Sequence, residues 1–326
     1  MEIVHQDIYE WQKPVLTEKN TYDLLKKVPL RADVTYVAVA WSTLIDKLDF
    51  GTRADKEKAG RYIQELQELQ VKNGFTVCQH DRFHTILPIL KTMGIKTLFA
   101  SHMVAKSGYT TKEFYYHSDG TAPTIDGITI DTIFLAPVFI GTPTHTKDVF
   151  YSFIGSYGPK HISKIRDKIF KDDHETNAVI IERKGWQFDS DVYGDQILGA
   201  PTSAVQKYIN EEKSKFYEKI LTRSRFSLCP SGTGPTSIRF LESLGSGAIP
   251  VILADTMMFP TIRGVNWDEC TVKIPEKDYY QLRQILARIT PQQEETMRQK
   301  GLEAYKLCTG KNFIRNIREY YDATIT

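Results

Sequence analysis

Two short apolar runs, residues 226–229 and 248–253, lie within RSRFSLCPSGTGPTSIRFLESLGSGAIPVILADTMMFP, residues 223–260. Both are short, the second is apolar throughout, Pro230 closes the first and Gly247 precedes the second. A short run of that kind suits a strand covered on both faces, as in a parallel sheet. Parallel strands need a crossover, and the helical pattern after the glycine loop supplies one. The stretch therefore reads as strand, loop, helix, strand. In open α/β sheets ligands bind outside the carboxyl ends of the strands, which is where this loop falls.

The rest of the chain repeats the same unit. Expected strands at 34–40, 75–79 and 96–100 alternate with helices at 54–69 and 85–93, after a lead-in whose one helix covers 21–28. Ala59, Tyr62, Ile63 and Leu66 recur at helical spacing on one face. A long polar, aromatic loop follows at 109–126, then a strand at 128–139. Residues 141–147 (GTPTHTK) are small, polar and proline-bearing, the mark of a linker. Beyond it come strands at 149–155 and 178–182 with a basic helix at 161–171 between them. A charged helix at 203–222, the opening unit, a last strand at 270–274 and a helical tail from 278 complete the chain. The expected division is a domain of residues 1–145 and a second of 146–326.

Composition narrows the function. The chain has 326 residues, 41% of them hydrophobic and 25% charged, enough for two packed domains. A net charge of +2 gives no reason to expect nucleic acid or an anionic membrane as partner. The four cysteines, Cys78, Cys229, Cys270 and Cys308, have no metal-binding spacing. Three of them sit in or beside apolar runs, as buried free thiols of a reducing compartment do. No apolar run approaches a membrane span, and residues 1–13 lack a signal-peptide core. A cytoplasmic setting is the expectation.

The chemistry centres on Ser231-Gly232-Thr233-Gly234-Pro235-Thr236-Ser237. Glycines admit close backbone approach, and Pro235 suits a helix start. Free N–H groups and hydroxyls there form an anion site, although a plain tight turn has the same residues. Arg239 and Glu242, three apart on the next helix, share a face. An arginine in a first helical turn opposes the dipole unless an anion neutralises it. A diphosphate would do so, and Glu242 has the chemistry to accept ribose hydroxyls. A simple surface ion pair is the alternative.

Here the chain resembles the exostosin family of glycosyltransferases. The shared pattern is Ser-Arg-Phe-x-Leu-x-Pro, a glycine loop, Ser-x-Arg-Phe-x-Glu, and a small-residue turn into Pro-Val-Ile-Leu-x-Asp. Weaker echoes occur at Ala32-Asp33-Val34, at 75–84 and at 149–166. The resemblance implies a GT-B fold, two Rossmann-like domains facing across a cleft with a helical C-terminal tail. It implies a nucleotide-sugar donor, UDP-linked, on the second domain and inversion at the anomeric carbon. The acceptor is then a saccharide hydroxyl of an oligosaccharide or glycan on the first domain. By position, Ser231, Gly232, Ser237 and Arg239 would meet the diphosphate and Glu242 the ribose. Thr233, Gly234, Gly155 and Ser156 complete the expected donor site. Ala38 stands where the family has proline in its first strand.

An inverting transferase needs a base in line with the leaving diphosphate. His80, Asp81 and His84 follow the second expected strand and are the candidates, with Asp81 or His80 preferred. His102 follows the third strand, and Asp46 is a further candidate. Any of these also has a plain structural reading; Asp81 would cap a helix. The leaving group needs positive charge or aimed donors when no metal is used. The expected enzyme uses no metal and no cofactor. Asp189-Ser190-Asp191 is read as a surface loop rather than a metal motif. Lys160 and Arg166 are read as a solvated helix face. Tyr109, Phe114, Tyr115 and Tyr116 are candidates for a sugar-stacking wall. Rival readings are a nucleotide-sugar epimerase, a retaining transferase, or a non-catalytic donor-binding subunit.

Overall fold

The chain was analysed as a computed structural model, which describes residues 1–5, 7–103, 124–186 and 188–323. Its first sheet contains β1 (Glu2–His5), β2 (Thr35–Ala38), β3 (Gly74–Cys78), β4 (Ile95–Ala100), β5 (Thr124–Ile125) and β6 (Ile128–Thr132). Their spatial order is β1-β2-β3-β4-β6-β5. Every pairing is parallel except β5 with β6. The second sheet contains β7 (Val149–Gly155), β8 (Val179–Glu182), β9 (Ser224–Pro230), β10 (Ile249–Leu253) and β11 (Val272–Lys273). It is wholly parallel, in the order β11-β10-β9-β7-β8. The apolar runs that announced parallel strands are buried throughout β2, β3 and β10.

Helices cover both sheets. In the first half they are α1 (Thr17–Lys27), α2 (Trp41–Phe50), α3 (Arg53–Glu68) and α4 (Leu87–Met93). The start of α3 is set by a capping box in which Thr52 and Asp55 satisfy each other's backbone N–H. Its stripe of Ala59, Tyr62 and Leu66 is buried. Gly94 ends α4 with φ of 81°, a conformation that costs glycine nothing. The second half has α5 (Ile165–Lys171), α6 (Ala204–Arg223), α7 (Arg239–Gly245), α8 (Leu282–Ala287), α9 (Pro291–Cys308) and α10 (Arg315–Ala323). All seven residues of α7 are buried. Glycine lets α9 lie against it: a Cβ at Gly245 would stand 2.8 Å from the Tyr305 ring, and one at Gly301 2.9 Å from Leu244.

The two-domain GT-B layout expected from the sequence is the one observed. Five local expectations change. Residues 2–5 form the edge strand β1, and residues 41–50 form α2, whose Trp41 is buried with its Nε1 donating to Thr76 at 2.7 Å. The strand expected over 128–139 stops at Thr132, because the N–H groups of Val138 and Phe139 bond to the Glu242 carboxylate instead of a strand. Asp189-Ser190-Asp191 is not a surface loop: it leads into a π-helix, Ser190–Ile197, that packs on α2. The helical tail also does not stay with the second half. Phe313, Ile314, Ile317 and Tyr321 join the core of the first sheet with Tyr36, Phe75 and Phe99, and Asn316 donates to the Thr132 carbonyl at 2.8 Å. The division after residue 145 falls in the connecting segment, with α10 recrossing it.

All four cysteines are buried free thiols, Cys308 included. Among the described residues no helix is long and apolar enough to cross a membrane.

Candidate active site

The carboxyl ends of both sheets face one cavity of about 780 Å³. Residues just past β3 and β4 line one wall, and residues at or just past β7, β8 and β9 line the other. This is the position that parallel topology assigns to a ligand.

On the second-domain wall stand Gly155, Ser156, Gly232, Thr233, Gly234, Thr236, Ser237, Arg239 and Glu242. Ser231 is the exception among the expected donor residues. Its hydroxyl donates to Glu276 at 3.1 Å and lies 3.0 Å from the Ser163 hydroxyl, so it faces the helix side and does not line the cavity. Its neighbour Gly232 spends its N–H on the Gly234 carbonyl at 2.8 Å. Glycine leaves room for a close neighbour at two places, Arg166 at one and Phe153 at the other. A Cβ on Gly232 would stand 3.0 Å from the Arg166 guanidinium, and one on Gly155 2.9 Å from Phe153 and 3.5 Å from Arg239.

Arg239 is not a surface residue. It is buried, donates to the Ile154 carbonyl, and lies 4.6 Å over the Phe153 ring. Its Nε is buried without a partner, as is the Thr236 hydroxyl. Two donors deprived of both water and protein acceptors are costly unless a ligand meets them. Glu242 is 1% exposed. Its Oε1 accepts from Val138 and Phe139 N–H at 3.2 and 3.0 Å, and its Oε2 from the Tyr217 hydroxyl at 2.9 Å. Those three bonds use most of the roughly four lone-pair sites of a carboxylate, leaving room for one more donor. Burial raises its pKa.

Arg166 and Arg183 also reach the cavity. Arg166 is no solvated helix face: it donates to the carbonyls of Ser231 at 2.7 Å and Ser156 at 3.0 Å, tying the β7 and β9 loops together. Burial and the charge of Arg239 push its pKa down to about 9, and the same two causes lower that of Arg183.

The first-domain wall is built on Asp46, His80, Asp81, His84 and His102. His80 lies between two carboxylates, with Nε2 3.1 Å from Asp46 and Nδ1 3.0 Å from Asp81. Burial opposes a charge there, but the hydrogen bonds to Asp46 and Asp81 outweigh it and raise the pKa to about 9. The Arg82 N–H also donates toward Nδ1 at 2.9 Å, so the ring is held from three sides. Asp81 is also buried enough to lose hydration, yet its bonds with His80 and with the Thr233 hydroxyl hold its pKa well below the usual carboxylate range. The Thr233 bond crosses the cleft. His84 lies on the turn Phe83–Ile86 and lines the same wall. His102 is kept neutral by burial, with a pKa lowered to about 4, and its Nδ1 is buried without a partner.

Arg183 and Tyr217 were missed as site residues by sequence reasoning, whereas Thr236 was among the loop hydroxyls it named. Arg183 directly follows β8, so reading the carboxyl end of every strand finds it. Tyr217 is mid-helix and carries no such signal. Asp189 reaches the cavity rim without Asp191, and burial raises the Asp191 pKa. Among the described residues no cluster of three or more His, Cys, Asp or Glu side chains is placed to hold a metal ion. Tyr109, Phe114, Tyr115 and Tyr116 lie outside the described residues.

Known proteins resemble this chain in sequence over limited stretches. A probable glucuronoxylan glucuronosyltransferase of Arabidopsis thaliana is 37% identical over 82 residues, 25% of this chain and 18% of that protein. An exostosin-1 homolog of Caenorhabditis elegans is 28% identical over 97 residues, 29% of this chain and 25% of that one. The match thus spans about a quarter or less of these relatives' length. The structure of Anabaena HepE in complex with UDP and glucose superposes over 100% of this chain and 99% of that one, with a TM-score of 0.45 and 10% identity. The model of the Exostosin GT47 domain matches residues 8–289, most of the chain, and the chain belongs to the exostosin GT47 family.

Proposed function

We propose that this chain is a glycosyltransferase that moves a sugar from a nucleotide donor, UDP-linked, to a saccharide hydroxyl in glycan synthesis, with inversion and without a metal ion. The observation that carries the proposal is the pair of buried unpartnered donors, Arg239 Nε and Thr236 Oγ1, opening on a cavity whose opposite wall holds Asp81. Family membership and the expected motif at 231–242 agree with it.

In this reading the donor's diphosphate occupies the Arg239 and Thr236 side. The ribose takes the remaining acceptor capacity of Glu242. Asp81 accepts the proton of the acceptor hydroxyl, whose oxygen bonds to the anomeric carbon as the bond to the diphosphate breaks. The departing diphosphate keeps the electron pair, and Arg239, with Arg166 and Arg183 behind it, stabilises the charge. His80 holds Asp81 ionised and aimed. A depressed pKa makes Asp81 a weak base in the empty site; an anionic donor beside it raises its basicity.

The test is a thermal-shift panel of nucleoside diphosphates and nucleotide sugars, followed by NMR of the product's anomeric configuration. Stabilisation by UDP and its sugars, then an inverted linkage, is expected. A retained configuration, or interconversion of free nucleotide sugars, overturns the inverting transferase in favour of a retaining enzyme or an epimerase. Binding with no transfer to any saccharide favours a non-catalytic subunit.

A further inference from the structure

Behind the His80–Asp81 turn lies a buried carboxylate that the proposed reaction does not use. Glu18, in the first turn of α1, is 2% exposed. Its Oε1 accepts from the Gln79 N–H at 3.1 Å, the Ser42 N–H at 3.2 Å and the Ser42 hydroxyl at 2.7 Å. The bracing is reciprocal, since the Glu18 N–H donates to Gln79 Oε1 at 3.3 Å. Gln79 in turn donates to the Val15 carbonyl at 2.8 Å.

These partners have a common geometry. Gln79 immediately precedes His80. Ser42 lies one turn before Asp46 on α2, so the two share a helix face. One carboxylate therefore holds the backbone of both elements whose side chains meet at the 3.1 Å Asp46–His80 contact. We propose that Glu18 is the positioning residue that fixes the Asp46–His80–Asp81 cluster against the cavity.

A buried carboxylate is an expensive brace. Apolar or amide side chains of similar size pack as well at less desolvation cost, and burial has raised the Glu18 pKa to about 7. An amide oxygen in the Oε1 position accepts the same three bonds, and its NH₂ faces only the Ser42 N–H that Oε2 meets at 3.5 Å, so what the carboxylate adds is charge. The charge also acts on the cluster directly, because the His80 imidazolium lowers the Glu18 pKa, and coupling of that kind runs in both directions.

The role of Asp81 in transfer rests on the function proposed above, but the positioning role is readable without turnover. In full-length protein, histidine-ring NMR follows the His80 titration in wild type, Glu18→Gln and Ser42→Ala. Thr21→Val is the control: Thr21 is buried on α1 and its hydroxyl donates to the Thr17 carbonyl at 2.9 Å. Glu18→Gln is expected to lower the His80 midpoint by about one unit, Ser42→Ala to lower it less, and Thr21→Val to leave it in place. Should Glu18→Gln not fold, Ser42→Ala carries the same reading. An unmoved His80 in a Glu18→Gln or Ser42→Ala protein whose Tm falls as in Thr21→Val overturns the proposal. In a transfer assay Glu18→Gln is expected to cut kcat about tenfold with donor KM unchanged. A His80 midpoint that falls in Glu18→Gln, together with wild-type protein that transfers no sugar, overturns the transferase reading alone.

Discussion

The His102 imidazole packs directly on the Cα of Gly234, from the opposite wall of the cleft. A Cβ built at Gly234 would stand 2.2 Å from His102 Nδ1. One residue away, the Thr233 hydroxyl bonds to Asp81. The glycine loop and the strand ends of the first domain thus meet at two adjacent points, and at Gly234 there is no room for a side chain.

Gly234→Ala is expected to destabilise the protein by about 1–3 kcal/mol through overpacking and to weaken UDP binding. His102→Ala in the same chain removes the opposing ring and should recover most of the loss. Calorimetry of the two single variants and the double variant checks this; strictly additive losses would show that the contact is not shared.

Arg239→Gln should reduce affinity for UDP by about 1.5–3 kcal/mol, the range for a hydrogen bond to a charged group. Uridine affinity should change little. Equal losses for both ligands, measured by titration calorimetry, would place Arg239 away from the phosphates.

Asp81→Asn should lower transfer about 10²–10⁴-fold, the usual range for losing a general base, while UDP binding survives. Retained transfer would move the proton acceptor elsewhere, and His102 is then the next group to replace, being neutral and unpartnered at Nδ1.

The His80 pKa is raised from 6.5 to about 9. A group that binds its proton more tightly when folded stabilises the fold fully below its unfolded pKa and loses that contribution as pH rises through the folded one. Tm is therefore expected to decline between pH 6.5 and about 9, and His80→Gln should flatten that decline. Thermal melts across that window, compared for the two proteins, decide it; equal slopes would mean His80 does not carry the effect.

Chelation by EDTA is expected to leave transfer unchanged. Loss of activity restored by manganese would contradict a metal-free reaction and bring Asp189 back into consideration.

Much of the second half was legible in the sequence. Consecutive apolar residues in β10 report burial on both faces, and the loop glycines report close approach. The environment of α7 was not legible. Arg239 and Glu242 have the spacing of a surface pair, and what buries them is distant in sequence: Phe153 and Ile154 over Arg239, and Val138, Phe139 and Tyr217 around Glu242. The first-domain cluster was half visible. His80 and Asp81 stand at a strand end, where position alone singles them out. The protonation of His80 depends on Asp46, which arrives from an unexpected helix 34 residues earlier. The π-helix has no readable signal, because its hydrogen-bond pattern matches no periodicity common enough to search for.

The return of α10 to the first sheet has a practical consequence for dissecting the molecule. Cutting the chain after residue 145 and expressing the rest would strand Phe313, Ile314, Ile317 and Tyr321 without the sheet that covers them. That fragment should aggregate for a reason unrelated to its own core. A fragment ending near Thr309, at the close of α9, removes the orphaned surface. Conversely, a fluorophore near the end of α10 reports on the first domain although it is attached to the sequence of the second.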